Sequence, residues 1–207
     1  MGLVIALNKG RILQECLPLF AACEIEPDTD PGESRKLIFN SRSGGHRLIV
    51  TRSADVPTYV EHGVADIGVT GKDTILEYGE AMGFYELLDL QIGKCKMMTA
   101  GPVGEVEPPG LLRVASKFVN ITRDYYQRQS RQVSVIKLSG AMEIAPLLGL
   151  ADTIVDIVDT GNTLKANGLE ARETICDIST RLIVNRASMK TKFDEVQDLL
   201  ARLKTVI

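Results

Sequence analysis

Residues 153–164 combine two acids with a small polar turn directly after a predicted strand. An apolar, β-branched run predicts a buried strand that contains Asp156 and ends at Asp159. A small polar turn and a short helical piece follow, so backbone N–H groups and the hydroxyls of Thr160 and Thr163 could donate to an anion. The two carboxylates would repel phosphate but suit sugar hydroxyls, or a magnesium ion bridging to them. The pattern predicts a ribose 5-phosphate site at Asp156, Asp159, Thr160, Gly161, Asn162 and Thr163.

The alternative interpretation of this turn is a tight connection with no ligand, because Thr, Gly and Asn are common turn residues. The acids favour the binding site. Asp156 and Asp159 lie three residues apart around the end of a predicted buried strand. A buried carboxylate costs several kcal/mol unless it is paired or liganded.

Basic residues near the ends of other predicted elements extend the candidate site. Lys9 and Arg11 flank Gly10 at the start of the first predicted helix, where the macrodipole favours anions. A polyphosphate bound there would resolve the conflict between two cations and that dipole. Gly71 and Lys72 form a second turn from a strand to a helix. Four further cations lie on or beside a predicted hairpin: Arg35, Lys36, Arg47 and Arg52. For each of these cations, a solvated surface position is the alternative.

The composition of the 207 residues excludes several classes of protein. A content of 44% hydrophobic and 25% charged residues is ordinary for a globular protein. The net charge of −3 disfavours a nucleic-acid binder. No apolar run approaches the roughly 20 residues that cross a bilayer, and no signal peptide is evident. The four cysteines form no Cys-x-x-Cys pair, so we expect reduced thiols and a cytoplasmic location. We expect His46 and His62 at the surface rather than as catalytic bases.

Predicted strands and helices alternate along the chain, which is typical of a mostly parallel sheet with helices on its faces. The predicted strands are 3–7, 36–40, 47–51, 66–70, 85–90, 112–115, 133–138, 154–158 and 181–184. The predicted helices are 11–22, 54–62 with Ser53 as its N-cap, 72–78, 122–129, 141–148, 164–167 and 192–204. The terminal helix carries an apolar stripe of Phe193, Val196, Leu199, Leu200 and Leu203. We expect an α/β protein of two units, residues 1–93 with 179–207 and residues 94–178, and a ligand in the cleft between them.

A long pattern around the polar turn resembles a family signature. The pattern is Glu143-x5-Gly149-x-Ala151-x2-Ile154-x-Asp156-Ile157-x2-Thr160-Gly161-x-Thr163-Leu164. It is similar to that of the ATP phosphoribosyltransferase family, the first enzymes of histidine biosynthesis. Residues 8–11, 34–37 and 65–73 resemble the family's N-terminal blocks, and residues 165–169 resemble the continuation of its phosphate loop.

The resemblance implies a periplasmic-binding-protein-like fold of two α/β lobes with a cleft between them. It also implies transfer of the phosphoribosyl group of phosphoribosyl pyrophosphate (PRPP) to N1 of ATP, with release of pyrophosphate and with Mg²⁺ carried by the substrate. Arg11 and Arg35 match the positions of the leaving-group arginines. Lobe II, residues 94–178, would bind PRPP through the polar turn. Lobe I would bind ATP and pyrophosphate through Lys9, Arg52, Gly71 and Lys72. Glu143 lies in the signature without an assigned role.

The chain resembles the short form of the family, which lacks a C-terminal regulatory domain. That form implies a separate regulatory subunit related to histidyl-tRNA synthetase, and a catalytic homodimer within a hetero-octamer. One alternative is a non-enzymatic binding protein of the same architecture, which secretion would favour. A catalytically silent regulatory subunit is the other. The joint presence of Lys9, Arg11, Arg35, Asp156 and Asp159 argues against a silent subunit.

Overall fold

The computed structural model describes residues 2–79 and 83–207. The chain divides into two compact units, Met1–Gly93 with Ser179–Ile207 (unit 1) and Lys94–Ile178 (unit 2). The strands are β1 (Val4–Asn8), β2 (Ile38–Asn40), β3 (Arg47–Thr51), β4 (Ile67–Gly71), β5 (Phe84–Asp89), β6 (Cys95–Pro102), β7 (Leu112–Ser116), β8 (Val133–Lys137), β9 (Thr153–Val158), β10 (Leu169–Ile178) and β11 (Thr180–Asn185). The α-helices are α1 (Arg11–Ala22), α2 (Val56–Glu61), α3 (Lys72–Tyr78), α4 (Val119–Arg128), α5 (Ile144–Leu147), α6 (Asn162–Ala166), α7 (Ser188–Thr191) and α8 (Phe193–Lys204).

Each unit contains one mixed β-sheet. Unit 1 has the strand order β2-β3-β1-β4-β11-β5, and unit 2 has the order β10-β6-β9-β7-β8. The α/β class is confirmed, but the expectation of mostly parallel sheets is wrong. Only β3-β1-β4 and β8-β7-β9 run parallel, while the remaining pairs, at the flanks of these trios, are antiparallel.

The sequence patterns do not predict two strands that pair with each other, β6 and β10. β10 contains Glu170, Arg172 and Glu173 and has a mostly exposed or half-buried burial pattern, because it lies at the edge of the unit 2 sheet. β6 has no apolar β-branched residue. Neither segment has the β-branched run or strict alternation that predicts a strand from sequence.

The first helix is predicted correctly at both ends. α1 buries Leu13, Cys16 and Phe20, whose spacing is that of one helix face. Burial, followed by the charge of Glu15, raises the pKa of the Cys16 thiol to about 12, so this thiol stays protonated near neutral pH. All four cysteines are free thiols, as expected.

Ser53 is not the N-cap of a helix. It begins a short 3₁₀ helix, Ser53–Asp55, and its Oγ lies 3.1 Å from Thr70 Oγ1 and 2.8 Å from Thr74 Oγ1. Its hydroxyl therefore connects β4 and α3 instead of satisfying a backbone N–H of α2. The helix expected at 141–148 is also shorter, since α5 covers only Ile144–Leu147.

The apolar stripe of α8 is confirmed at four positions, Val196, Leu199, Leu200 and Leu203, which are buried, whereas Phe193 is exposed. His62 is exposed as expected. His46 is half-buried, its Nδ1 accepts the backbone N–H of Leu3, and burial lowers its pKa. Within residues 2–79 and 83–207, no helix is both long and apolar enough to cross a membrane.

A polar network at the buried carboxylate of Asp66 joins distant parts of unit 1. Asp66 Oδ2 accepts the Val4 backbone N–H at 2.8 Å and lies 2.6 Å from Lys192 Nζ. Its Oδ1 accepts the Ser188 hydroxyl at 2.6 Å. The side chain is 7% exposed. These contacts fasten β1 and the segment from α7 to α8 onto the start of β4.

We expect Asp66→Ala to lower the free energy of unfolding by about 3–5 kcal/mol, because it leaves the Lys192 ammonium half-buried without its carboxylate. For a chain of this size the unfolding midpoint falls by roughly 10 °C, which calorimetry measures. Asp198→Ala is the matched control, since Asp198 is a 60% exposed acid that pairs with Arg202. Its effect should stay within about 0.5 kcal/mol. Equal midpoints for the two variants would contradict the prediction.

Candidate functional site

The turn after β9 is built around a left-handed glycine. Gly161 has φ +74° and ψ 5° and stands at the N-cap of α6. This conformation is natural for glycine and strained for most other residues. The backbone N–H of Asn162 donates a long hydrogen bond to Thr160 Oγ1, two residues earlier, at 3.4 Å. This bond helps to close the turn. Asp159, Thr160, Asn162 and Thr163 are exposed. The side chains predicted to meet a ligand are therefore accessible.

Backbone donors at this turn have no partner in the part of the chain that the structure describes. They are the N–H groups of Gly161, Thr163 and Leu164. The first N–H groups of any helix lack intrahelical acceptors, so another group or a ligand must satisfy them. Because α6 has only five residues, individual N–H groups rather than a macrodipole give the turn its attraction for anions.

A cavity of about 480 Å³ lies against the turn, within unit 2. One wall comes from the turn and α6, through Asp159, Thr160, Gly161 and Lys165. The start of β10 also lines the cavity and includes Glu170, whose Oε1 accepts the Gly104 backbone N–H at 3.2 Å. The volume falls in the range of small-molecule sites.

Asp156 lies within β9, three residues before Asp159. It is half-buried, and its Oδ1 accepts the backbone N–H of the next residue, Ile157, at 2.8 Å. Thus one oxygen of this carboxylate is oriented by its own strand. Asp159 is exposed at the edge of the cavity. The geometry keeps one acid on the rigid strand and the other on the turn.

Glu143 belongs to the segment that follows β8. It stands at the N-cap of α5 with φ −60° and ψ −26°, makes no capping hydrogen bond with its side chain, and is half-buried. β8, β7 and β9 are parallel neighbours, so the segments after β8 and β9 leave the sheet at the same edge. Glu143 therefore lies at the same edge of the unit 2 sheet as the turn, the edge formed by the carboxyl ends of the parallel strands.

The carboxyl ends of three parallel strands in unit 1 bring predicted basic residues together. β3, β1 and β4 are neighbours, and Asn8 pairs with Thr51 in register. Lys9 follows β1, Arg52 follows β3, and Lys72 follows β4, so these residues meet at one edge of the sheet. The Lys9 backbone N–H also donates to the Thr51 carbonyl at 2.8 Å.

The turn at Lys9–Arg11 borders open space. Gly10 has φ +106°, which makes it the residue that allows β1 to turn into α1. Lys9 and Arg11 are exposed, and Arg11 Nε lies 3.3 Å from Glu15 Oε1 one helical turn later. A cavity of about 670 Å³ begins at Lys9 and Gly10 and runs along the apolar flank of α1 toward Ser34.

Arg35 and Arg52 are exposed cations. Across residues 2–79 and 83–207, neither makes an ion pair. Arg35 lies in the loop before β2, two residues from Leu37, whose carbonyl accepts the Val50 N–H at 2.8 Å. A cation that no carboxylate holds keeps its full attraction for an anionic ligand.

Lys72 differs from these two arginines. Its Nζ lies 2.6 Å from Glu86 Oε2, and both side chains are mostly buried. Gly71 next to it is buried, and a Cβ added there would stand 2.1 Å from the carboxylate of Asp73. An anion at this turn must therefore compete with Glu86 for the ammonium group and must avoid the Asp73 charge.

Two acids, Glu15 and Glu86, contact predicted basic residues and are not among the predicted site residues. Glu15 follows Arg11 by four positions on one helix, a spacing that predicts an ion pair and could have been noticed. Glu86 faces Lys72 from another strand, fourteen residues away, and no local pattern connects them.

Comparison with known proteins gives concordant matches. The family model of the ATP phosphoribosyltransferases matches residues 52–205. Over 205 residues the chain is 60% identical to the ATP phosphoribosyltransferase of Ectopseudomonas mendocina (strain ymp), covering 99% of this chain and 97% of that protein. Identity to the Pseudomonas aeruginosa PAO1 enzyme is 58% with the same coverage. Among solved structures, the ATP phosphoribosyl transferase (HisG:HisZ) complex from Thermotoga maritima contains a chain with TM-score 0.86 and 34% identity, and the match covers 99% of this chain and 98% of that one.

Proposed function

The chain belongs to the ATP phosphoribosyltransferase family, and we propose that its turn at 159–163 holds the 5-phosphate of PRPP while the strand ends of unit 1 hold ATP and pyrophosphate. The family has a periplasmic-binding-protein-like α/β fold. The reaction joins C1 of PRPP to N1 of ATP, giving N1-(5-phosphoribosyl)-ATP and pyrophosphate, and it is the first step of histidine biosynthesis. The enzyme is a pentosyltransferase.

The observation that carries the proposal is the left-handed turn at Gly161, with unpartnered N–H groups in the described structure and a 480 Å³ cavity beside it. A phosphate has several acceptor oxygens and can take donors from Gly161, Thr163 and Leu164 together with the hydroxyls of Thr160 and Thr163. Hydrogen bonds to a charged group contribute about 1.5–3 kcal/mol each. A few such bonds would suffice to hold the sugar phosphate at the turn.

The carboxylates of Asp156 and Asp159 have a different role in this proposal. Ionised carboxylates only accept hydrogen bonds, and the ribose 2- and 3-hydroxyls are donors. Asp156 is held by the Ile157 N–H and sits on the strand, so it provides a rigid acceptor. Asp159, on the turn, provides the second. Orientation of the ring fixes which face of C1 is presented to the adenine nitrogen.

Departure of pyrophosphate is the demanding chemical event. Adenine N1 has a free lone pair, so attack on C1 needs no general base. As the C1–O bond breaks, negative charge grows on the leaving group, and positive groups placed there stabilise the transition state by about 2.7–4 kcal/mol each. We assign that function to Arg11 and Arg35, because a planar guanidinium can hold a phosphate through two donors. The exposure of both side chains supports the assignment.

The phosphates of ATP or pyrophosphate bind in this proposal to a group of residues on unit 1: Lys9, Arg52, Gly71 and Lys72. The meeting of their segments at one edge of the β3-β1-β4 sheet supports this. Lys72 takes part only if the anion replaces Glu86. Glu143 stays near the PRPP side without an assigned step.

Magnesium enters the proposal with the substrate. In the described residues, no group of three or more His, Cys, Asp or Glu side chains is placed to hold a metal ion. The diphosphate of PRPP and the triphosphate of ATP supply oxygen ligands that Mg²⁺ prefers, and the ion usually keeps several waters. Carried by the substrate, the ion would neutralise part of the charge on the leaving pyrophosphate.

We further propose a separate regulatory partner. The similar Thermotoga maritima structure is a HisG:HisZ complex, which supports a regulatory subunit for this chain too. In this proposal the partner is a histidyl-tRNA-synthetase-like subunit, and it binds catalytic homodimers in a hetero-octamer. The four free thiols support a reducing compartment, the cytoplasm.

The ultraviolet absorbance change on mixing purified protein with ATP, PRPP and Mg²⁺ tests the function, because joining a sugar to N1 alters the adenine chromophore. The assay is run with and without the regulatory subunit, and a mixture with ribose 5-phosphate in place of PRPP is the control. We expect a PRPP-dependent change. Binding of PRPP with no absorbance change in either condition would indicate a binding protein or a silent subunit and would overturn the proposal.

A further inference from the structure

Glu15 links the predicted leaving-group arginine, Arg11, to Gly93, where the chain first leaves unit 1. One carboxylate oxygen, Oε1, lies 3.3 Å from Arg11 Nε, four residues earlier on α1. The other, Oε2, accepts the backbone N–H of Gly93 at 2.8 Å. Gly93 is the last residue of unit 1 before the chain passes into unit 2. A single side chain therefore bridges the start of α1 and the loop between β5 and β6, where the chain leaves unit 1.

The packing around Gly93 gives this bridge a rigid anchor. Gly93 has φ +61°, and a Cβ at this position would stand 2.9 Å from Thr180 Oγ1 and 3.5 Å from Ile12 Cγ1. Thr180 N–H donates to the Ile92 carbonyl at 3.0 Å, so the exit and return segments of the chain are hydrogen-bonded to each other here. Such crowding holds the Gly93 N–H in place, and that N–H in turn orients the Glu15 carboxylate.

The Glu15 contact at Nε restricts the orientation of the Arg11 guanidinium. A guanidinium is planar, so a carboxylate held on its Nε side restricts how the rest of the plane is aimed. The Arg11 side chain is 57% exposed. Without such a contact it would sample many rotamers, and it would lose that conformational entropy when it binds pyrophosphate. The acid also opposes the approach of pyrophosphate, so its presence is explained by orientation rather than by attraction.

We propose that Glu15 is a positioning residue that orients Arg11 toward the departing pyrophosphate, using the Gly93 backbone as its anchor. This inference rests on the proposed role of Arg11. Its consequence is a loss in the chemical step, because positioning contributes in the transition state and a displacement of about 1 Å can cost on the order of 10²-fold.

Two variants test the role of the Glu15 carboxylate. Glu15→Ala removes both, and Glu15→Gln keeps an acceptor for Gly93 while it removes the charge that holds Arg11. We expect both to lower kcat about tenfold or more with a smaller change in the KM for PRPP. Glu24→Gln is the control, since Glu24 is an exposed acid just after α1 whose Oε2 lies 3.1 Å from Arg202 Nη1, and it should leave kcat unchanged. A wild-type kcat for both Glu15 variants would overturn the proposal.

A double-mutant cycle with Arg11→Ala distinguishes positioning from a general structural effect. If Glu15 acts through Arg11, Glu15→Ala should lower single-turnover rates in the wild type but add no loss in the Arg11→Ala background. Equal losses in both backgrounds would show that Glu15 acts elsewhere and would overturn the inference. If Arg11→Ala alone has no effect, the proposed function of Arg11 fails instead, and the two failures are therefore told apart.

Discussion

Gly161→Val is expected to weaken PRPP binding by at least about 10²-fold. Two effects add. Gly161 has φ +74°, where a β-branched residue costs about 1–2 kcal/mol or more, so the turn must change shape. A changed turn no longer aims its N–H groups at one phosphate, and each lost bond to a charged group costs about 1.5–3 kcal/mol. Titration calorimetry with PRPP and Mg²⁺ measures the affinity directly.

The control for this variant is Gly110→Val. Gly110 is also in unit 2, has φ +87° and has nothing within 4 Å of an added Cβ, so it carries similar backbone strain away from the turn. We expect it to destabilise the fold modestly and to bind PRPP normally. Thr160→Val removes one hydroxyl at nearly constant volume and should cost about tenfold. Wild-type affinity in both Gly161→Val and Thr160→Val would show that the turn is not the phosphate site.

Arg35→Ala and Arg11→Ala are each expected to lower kcat by about 10²-fold or more, with a smaller effect on PRPP binding. The reason is that charge on the pyrophosphate grows as the C1–O bond breaks, so a cation at that place stabilises the transition state more than the ground state. Lysine in place of either arginine should restore only part of the rate, because an ammonium is a point charge without the planar fork.

Single-turnover kinetics is the right measurement for these arginines, since product release can otherwise hide a slower chemical step. Arg202→Ala is the matched control: Arg202 is an exposed arginine of unit 1 whose Nη1 lies 3.1 Å from Glu24 Oε2. It should react at the wild-type rate. Unchanged single-turnover rates in the Arg11 and Arg35 variants would remove both residues from the chemistry.

The sequence predicts the elements that position the site better than the sheets that contain them. α1 and α3 begin and end where predicted, because a turn after a strand precedes each helix, and in α1 the buried residues also recur at helical spacing. β9 is recognisable because its sequence is an apolar, β-branched run. The antiparallel edge formed by β10 could not be inferred, since an edge strand exposes charged side chains and its pairing partner is more than sixty residues away.

The candidate site shows the same limit. Positions that follow a strand, such as Lys9, Arg52 and Asp159, can be located from local patterns. Parallel pairing of β1 with β3 then brings Lys9 and Arg52 to one edge of the unit 1 sheet. Contacts set by tertiary packing cannot be found this way. Ser53 bonds Thr70 and Thr74 instead of capping a helix, and Lys72 pairs with Glu86 on another strand.

A crystal structure with PRPP and Mg²⁺ tests the central claim most directly. It should place the 5-phosphate oxygens about 2.7–3.2 Å from backbone N–H groups of the turn at 160–164, with the ribose hydroxyls on Asp156 and Asp159. PRPP bound at another location, or bound with its 5-phosphate away from this turn, would contradict the account.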